Sequence, residues 1–92
     1  MRPEWTHLRN QTTAVQLSFL DAEVKTGITF ARIALKAKER EKVARNRLSA
    51  RKAYDTIDSY LSELSPDIPE VQEIRKRVEI LQQLLKQLGE NL

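Results

Sequence analysis

The sequence predicts an all-α chain folded as a three-helix antiparallel up-down bundle, with helices over about 12–37, 40–64 and 68–88. Three observations carry this prediction. Only two glycines and three prolines occur in 92 residues, so turns are few and the elements between them are long. Apolar residues recur at three- and four-residue spacings, the period of one helix face. Pro66 and Pro69 cut the last third of the chain from the rest. Hydrophobic residues at 40% and charged residues at 32% suit a folded helical domain and are too apolar a mixture for a disordered tail. A chain of this size holds one core and has little room for a deep, enclosed active site.

Residues 1–11 show no helical stripe and read as a flexible N-terminal arm ahead of a single domain over 12–92, with Trp5 and His7 in the arm. The first helix is expected to start near Thr12 or Thr13, since Thr13 and Gln16 form a capping-box pattern. Leu17, Leu20, Val24, Ile28, Ala31 and Leu35 give its apolar face, widened by Phe19, Phe30 and Ile33. Gly27 interrupts this face and reads as a small residue that lets helices pack closely, or as a kink. The stripe lapses over Lys36–Lys42 and resumes at Val43 in a new phase, which places a tight turn at Lys38–Arg40. The competing reading is one continuous helix from Thr13 to Leu64, about 78 Å long, which could bury its stripe only by dimerising. The second helix carries Val43, Ala50, Tyr54, Ile57, Leu61 and Leu64 and stops before Pro66. Asp67 is expected to cap the third helix, with Pro69 in its first turn. Val71, Ile74, Val78, Leu81, Leu85 and Leu88 form a heptad series, and Gly89 is a standard helix stop.

Nothing in the sequence points to catalysis, so the chain is expected not to be an enzyme. His7, the one histidine, has no orienting partner in sequence. Asp55 and Asp58 could share a face, but no Glu-x-x-His follows to complete a di-metal site. Gly27 and Gly89 are too far apart for a phosphate-cradling loop. The absence of cysteine excludes disulfides and thiolate chemistry and fits a reducing cytoplasm. The stretch Ala14–Ala22 is too short and polar to span a bilayer, so neither membrane, metal, cofactor nor small-molecule substrate is expected, and a soluble, cytoplasmic protein is.

Charge is the most informative feature. Lys36, Lys38, Arg40, Lys42, Arg45, Arg47, Arg51 and Lys52 are opposed between residues 36 and 52 only by Glu39 and Glu41. Arg40, Arg47 and Arg51 fall on one helix face, with Lys36 close by. Lys36, Arg40, Arg45, Arg47 and Arg51 are therefore the candidate surface for an anionic partner. The second helix puts bases in its first half and Asp55, Asp58 and Glu63 in its second, against the preference of the helix dipole. In an antiparallel bundle this makes a basic tip at residues 32–52, near Lys86, and an acidic opposite end of Asp58, Glu63, Asp67, Glu70 and Glu73. Ile80 and Leu84 lie beside the main stripe of the third helix. They are expected either to fill the groove between the other two helices or to form an apolar interface with a partner or second copy.

Two resemblances follow from residues just named. Arg45-Asn46-Arg47-Leu48-Ser49-Ala50 resembles the core of a basic-leucine-zipper DNA-binding region, but Tyr54 and Thr56 stand where that family continues with bases, and Pro66 cuts any zipper short. More of the chain resembles helical-hairpin folds. Ala50-x-x-x-Tyr54-x-x-Ile57 and Gly27-x-x-Phe30 look like tetratricopeptide half-motifs, set further apart than one such repeat permits. Three long helices, the middle one carrying the run Ala50–Leu64, more closely resemble the microtubule-interacting-and-transport type of bundle. They also resemble small uncharacterised bacterial helical proteins. That resemblance implies that Ala50 and Tyr54 pack helix on helix and that the chain is an interaction module. The expected function is a non-enzymatic protein–protein interaction module, binding a protein partner or a second copy. The alternative is binding of a polyanion or nucleic acid through the basic tip.

Overall fold

The computed structural model describes the backbone of residues 3–92 and the side chains of residues 13–92. Three helices pack as an all-α bundle: α1 (Pro3–Lys36), α2 (Arg40–Leu61) and α3 (Pro69–Gln87). The molecule measures 57 × 19 × 16 Å, and its long dimension matches the roughly 51 Å expected of the 34-residue α1. Each helix packs on both others, most extensively α1 on α2. Phe19 meets Tyr60, Gly27 lies beside Ala53, and α3 returns so that Arg77 reaches Asp21 and Glu90 reaches Arg47. The three helices therefore alternate in direction.

The core changes in grain along its length. Toward the α2–α3 loop it is built of large side chains: Leu20, Val24, Ile57, Leu61, Val71 and Ile74 are all buried, and Leu81 and Leu85 carry α3 past Gly27. Toward the α1–α2 turn the buried residues are Ala31 and Ala34 on α1 and Asn46, Ala50 and Ala53 on α2. Gly27 stands where the two regimes meet. A Cβ there would come within 2.9 Å of Leu81 Cδ2 and 3.1 Å of Ala53 Cβ. The glycine thus permits close packing of three helices at one level, and α1 runs through it unbroken. Ala50 is fully buried and Tyr54 packs against the core.

The helix limits differ from the sequence reading in instructive ways. The α1 backbone is helical from Pro3, so Thr13 and Gln16 lie inside the helix and form no capping box. Trp5 and His7, placed in an arm by the sequence, have side chains outside the described residues. The break between α1 and α2 is real, which excludes the continuous helix. It falls at Ala37–Glu39, where Glu39 is extended (φ −76, ψ 127) and caps α2 without any side-chain bond. No proline or glycine imposes it. The alanine seam does, because Ala31 and Ala34 can meet Ala50 and Asn46 only if the chain reverses. α2 leaves the helix after Leu61, three residues early, through tightened bonds from Glu63 N–H to Tyr60 O and from Leu64 N–H to Leu61 O.

Asp67 does not cap α3. Ile68 holds that position, extended and without a side-chain bond, while the Asp67 amide is held by Ser65 Oγ at 3.4 Å. An apolar residue there is explained by packing, since Ile68 lies against the core. Pro69 opens α3 as expected. At the far end Gly89 takes φ +88. The Glu90 amide bonds Leu85 O at 2.9 Å and the Gly89 amide bonds Lys86 O at 3.0 Å, the paired bonds of a Schellman stop.

Leucine is the better helix former by about 1 kcal/mol, yet Gly27→Leu is expected to lower unfolding free energy by about 1–3 kcal/mol through overpacking. Combined with Leu81→Ala, it should cost less than the sum of the two single changes. Urea unfolding of the four proteins checks this; strict additivity would contradict close packing at Gly27.

Candidate functional site

The sequence grouped five bases as one surface, and the structure divides them. Arg40, Arg47 and Arg51 do share a face of α2, the one turned toward the end of α3. Arg47 and Arg51 are occupied there. Arg47 Nε bonds Glu90 Oε2 at 2.5 Å, and Arg51 Nη1 bonds Glu90 Oε1 at 3.2 Å. Arg51 also donates to Asn91 O at 3.1 Å and to Asp55 Oδ1 at 3.0 Å, with its guanidinium 5.9 Å from the Tyr54 ring centre. The Schellman stop turns the chain so that the residue after Gly89 points back at α2, which makes Glu90 a clasp between α3 and α2. Its side chain is only 16% exposed. The bond from Arg47, supported by Arg51, holds the Glu90 carboxyl below its ordinary range against the opposing effect of partial burial.

Arg45 lies on a different face. With Lys42 and Lys52 it is exposed and makes no ion pair among the described residues. Lys36 and Arg40 are likewise exposed and unpaired there. Lys86 is not at the tip, because α3 ends level with Arg47 and Arg51 and the hairpin of α1 and α2 projects beyond it. The opposite end is also less acidic than the sequence suggests, because bases from α1 and α3 meet the acids there. Asp21 accepts from Lys25 at 2.9 Å and from Arg77, and Lys76 pairs with Glu73 at 3.2 Å. Lys25 first, then Arg77, holds the Asp21 carboxyl below its ordinary range.

The candidate apolar pair on α3 also separates. Leu84 packs against the core, whereas Ile80 is 47% exposed among Lys76, Glu79, Gln82 and Gln83. One isolated exposed residue in polar company makes no patch. Asn46, the residue that gave the basic-zipper resemblance, is buried at the α1–α2 seam, where its Nδ2 donates to Lys42 O at 2.8 Å. It is turned away from any base edge, and that resemblance fails. Asp55 is taken by Arg51, and no group of three or more metal-ligating side chains occurs among the described residues. An open groove of about 720 Å³ runs between α1 and the start of α3, lined by Leu17, Ile68 and Ile74 with Asp21, Glu70 and Arg77 at its rim.

A surface that periodicity in the sequence did not reveal is the outer face of α1. Val15, Phe19, Ala22, Thr26, Thr29 and Ile33 follow at alternating four- and three-residue steps. They form one stripe about 27 Å long. Val15 is 68% and Phe19 42% exposed, Ala22, Thr26 and Thr29 are exposed, and Ile33 is half-buried. No charge interrupts the stripe in a chain that is 32% charged. Thr29 Oγ1 already donates to Lys25 O at 3.0 Å, so a partner need not satisfy that hydroxyl. Phe19 meets Tyr60 edge-on with ring centres 5.6 Å apart, which places α2 along one side of the stripe. The apolar pattern alone puts Phe19 and Ile33 on the flank of the buried face. The signal that separates them is the neutral 3–4 series itself, which alanine and threonine conceal from a search for apolar residues.

No described helix is long and apolar enough to cross a membrane. The chain matches no protein-family model, no curated protein and no solved structure. The fold and these surfaces define an all-α three-helix bundle with a clasped C-terminal turn.

Because the Glu90 carboxyl is lowered in the folded state, its contribution to stability is full above the ordinary glutamate range and is lost as pH falls through the lowered value. Glu90→Gln should therefore be less stable than the parent at neutral pH, and the gap between them should close at acid pH, below the lowered Glu90 value. Urea midpoints at both pH values read this directly; a gap that stays constant with pH would remove the carboxylate from the explanation.

Proposed function

We propose that this chain is a non-enzymatic helical interaction module that docks a helix of a protein partner along the outer face of α1. The observation that carries this reading is the unbroken neutral stripe from Val15 to Ile33 on a solvent face. A helix that serves only its own core has charged residues opposite it. A heptad-spaced neutral series instead suits the packing of another helix. Small residues at Ala22, Thr26 and Thr29 would let a helix axis approach closely, with Val15, Phe19 and Ile33 as larger contacts at the ends. The helical-hairpin resemblance of the sequence supports the same class of function.

Thr26→Glu and Thr29→Glu should leave helix content and thermal unfolding nearly unchanged, as expected for exposed sites. They should also abolish co-purification of partners from the native host. Gln83→Glu, at an exposed position on α3 away from the stripe, should keep them. Partners retained by both stripe variants would count against the reading.

A second reading is favoured by a separate observation: Lys36, Arg40, Lys42 and Arg45 are exposed at one end without ion-pair partners among the described residues. Such an end could bind a nucleic acid or another polyanion. Duplex DNA binding that falls steeply with salt, and whose salt slope drops by about one for each base removed, would support it. Binding unchanged by Arg45→Glu would dismiss it.

A further inference from the structure

The stripe on α1 is one side of a wider neutral face. Phe19 meets Tyr60, and Ser49 and Thr56 fall close to the Tyr60 line of α2. α3 packs on the other side of the hairpin, where Arg77 reaches Asp21, roughly 160° around α1 from Phe19. The open face is therefore two helices wide. Lys42 is the one charge on the α2 line, and Glu23 lies half-buried between the helices.

Charge along this hairpin changes sign at one level. Residues 13–24 and 53–64 hold five acids and no base, whereas residues 25–52, which run to the α1–α2 turn and back, hold ten bases and two acids. Gly27 lies beside Ala53. The boundary on α1, between Glu23 and Lys25, and the boundary on α2, between Lys52 and Asp55, therefore stand within about 3 Å of each other along the hairpin. The midpoint of the stripe from Val15 to Ile33 falls at that level too. Arg45 and Glu63 lie on the outer shoulder of α2, about five turns apart and so on one line. The Glu63 amide bonds Tyr60 O at 3.1 Å, which carries that line past the end of the helix. Both side chains are exposed and make no ion pair among the described residues. The point midway between them is near the same level.

We infer that the occupant of this face is a second copy of the chain, laid antiparallel about a two-fold axis at the level where the charge changes sign. This inference rests on the docking reading above and names the partner. In a two-fold pair the same patch meets itself, so the patch must be its own complement. This one is. With α1 over α1 and α2 over α2, the acidic half of each copy lies along the basic half of the other, and Arg45 of each copy stands opposite the partner's Glu63. Lys25, which falls beside the axis, is already answered by Asp21 at 2.9 Å. A parallel pair would set the two basic ends side by side, which like-charge repulsion opposes. A polyanion laid on the face would meet the acidic half. An anionic bilayer is opposed by that half as well, and Ala22, Thr26 and Thr29 offer it little apolar surface to insert. The face is about 27 Å long and two helices wide, on the order of 500 Å² in projection. That is small beside the roughly 800 Å² per partner of a standard interface, so the dimer is weak and reversible.

Sedimentation equilibrium of the intact chain at low salt should show a monomer–dimer equilibrium with a dissociation constant on the order of 100 µM. The dimer should weaken as salt is raised. Thr26→Glu should abolish it. Arg45→Glu should weaken it about tenfold, because both ends of the pair then set acid against acid. Adding Glu63→Arg to Arg45→Glu reverses both contacts at the parent's net charge and should return the affinity to within about threefold of the parent. Circular dichroism checks that the variants, all at exposed positions, keep their helix content. A chain that stays monomeric up to roughly 0.5 mM at low salt overturns the inference. In that case, loss of host partners on Thr26→Glu leaves the docking reading standing, and their retention overturns it too. A dimer that survives Thr26→Glu, or one that Glu63→Arg fails to rescue, overturns the inference by placing the contact on another face or in another register. Growth past the dimer overturns it as well, since head-to-tail contacts do not close.

Discussion

The close approach of α1 and α2 is the constraint on which the rest of the molecule depends. Gly27, Ala31 and Ala34 face Ala50 and Ala53, and side chains this small fill the space at native density only when the helix axes lie close. The seam explains how a turn forms at Ala37–Glu39 with neither glycine nor proline. The packing of the two arms stabilises the reversal, and Glu39 adopts an extended conformation to accommodate it. It also fixes where α3 can lie. Leu81 reaches Gly27 and Glu90 reaches Arg47 and Arg51, so α3 covers the seam as far as Ala50 and stops short of Ala34 and Asn46. The hairpin therefore projects beyond α3, and its projecting part is the basic one.

Charge on this chain is meaningful only after placement. The sequence reads as a dipolar rod, but the fold reassigns much of that charge to internal work. Glu90 neutralises part of Arg47 and Arg51 from 43 and 39 residues away, and Arg77 and Lys25 answer Asp21. Among the described residues most of the bases without such partners lie between Arg32 and Lys52, with Arg75 and Lys86 on α3 the others. Surface pairs of this kind contribute modestly to stability, typically less than about 1 kcal/mol each. Their larger effect is to decide which charges face solvent unanswered.

Periodicity made the three helices legible, along with most of the core. Val71 to Leu85 kept their heptad roles, Gly27 proved to be a close-packing site, and Gly89 stopped α3. What escaped were features whose causes are not local. The helical backbone reaches back to Pro3, beyond the Thr13 capping pattern, because a capping box is a weak competitor for a sequence that can continue a helix. Ile68 replaces Asp67 as the residue before α3 because its side chain is needed in the core. The Glu90 clasp joins residues with no sequence relation. The α1 stripe was hidden by composition, since alanine and threonine register as neutral in a search for hydrophobic periodicity even when they define a contact face.

The grain of the core has one more consequence. Alanine removes little apolar area from water, so the projecting part of the hairpin holds less free energy per residue than the leucine-rich end. Cooperative opening is graded by such local differences. Amide hydrogens around Asn46 and Ala34 should exchange through partial separation of the hairpin, while those around Leu20 and Ile57 wait for the whole molecule to unfold. A helix bound along α1 would span both regions, and it would tie the weakly held end to the strongly held one.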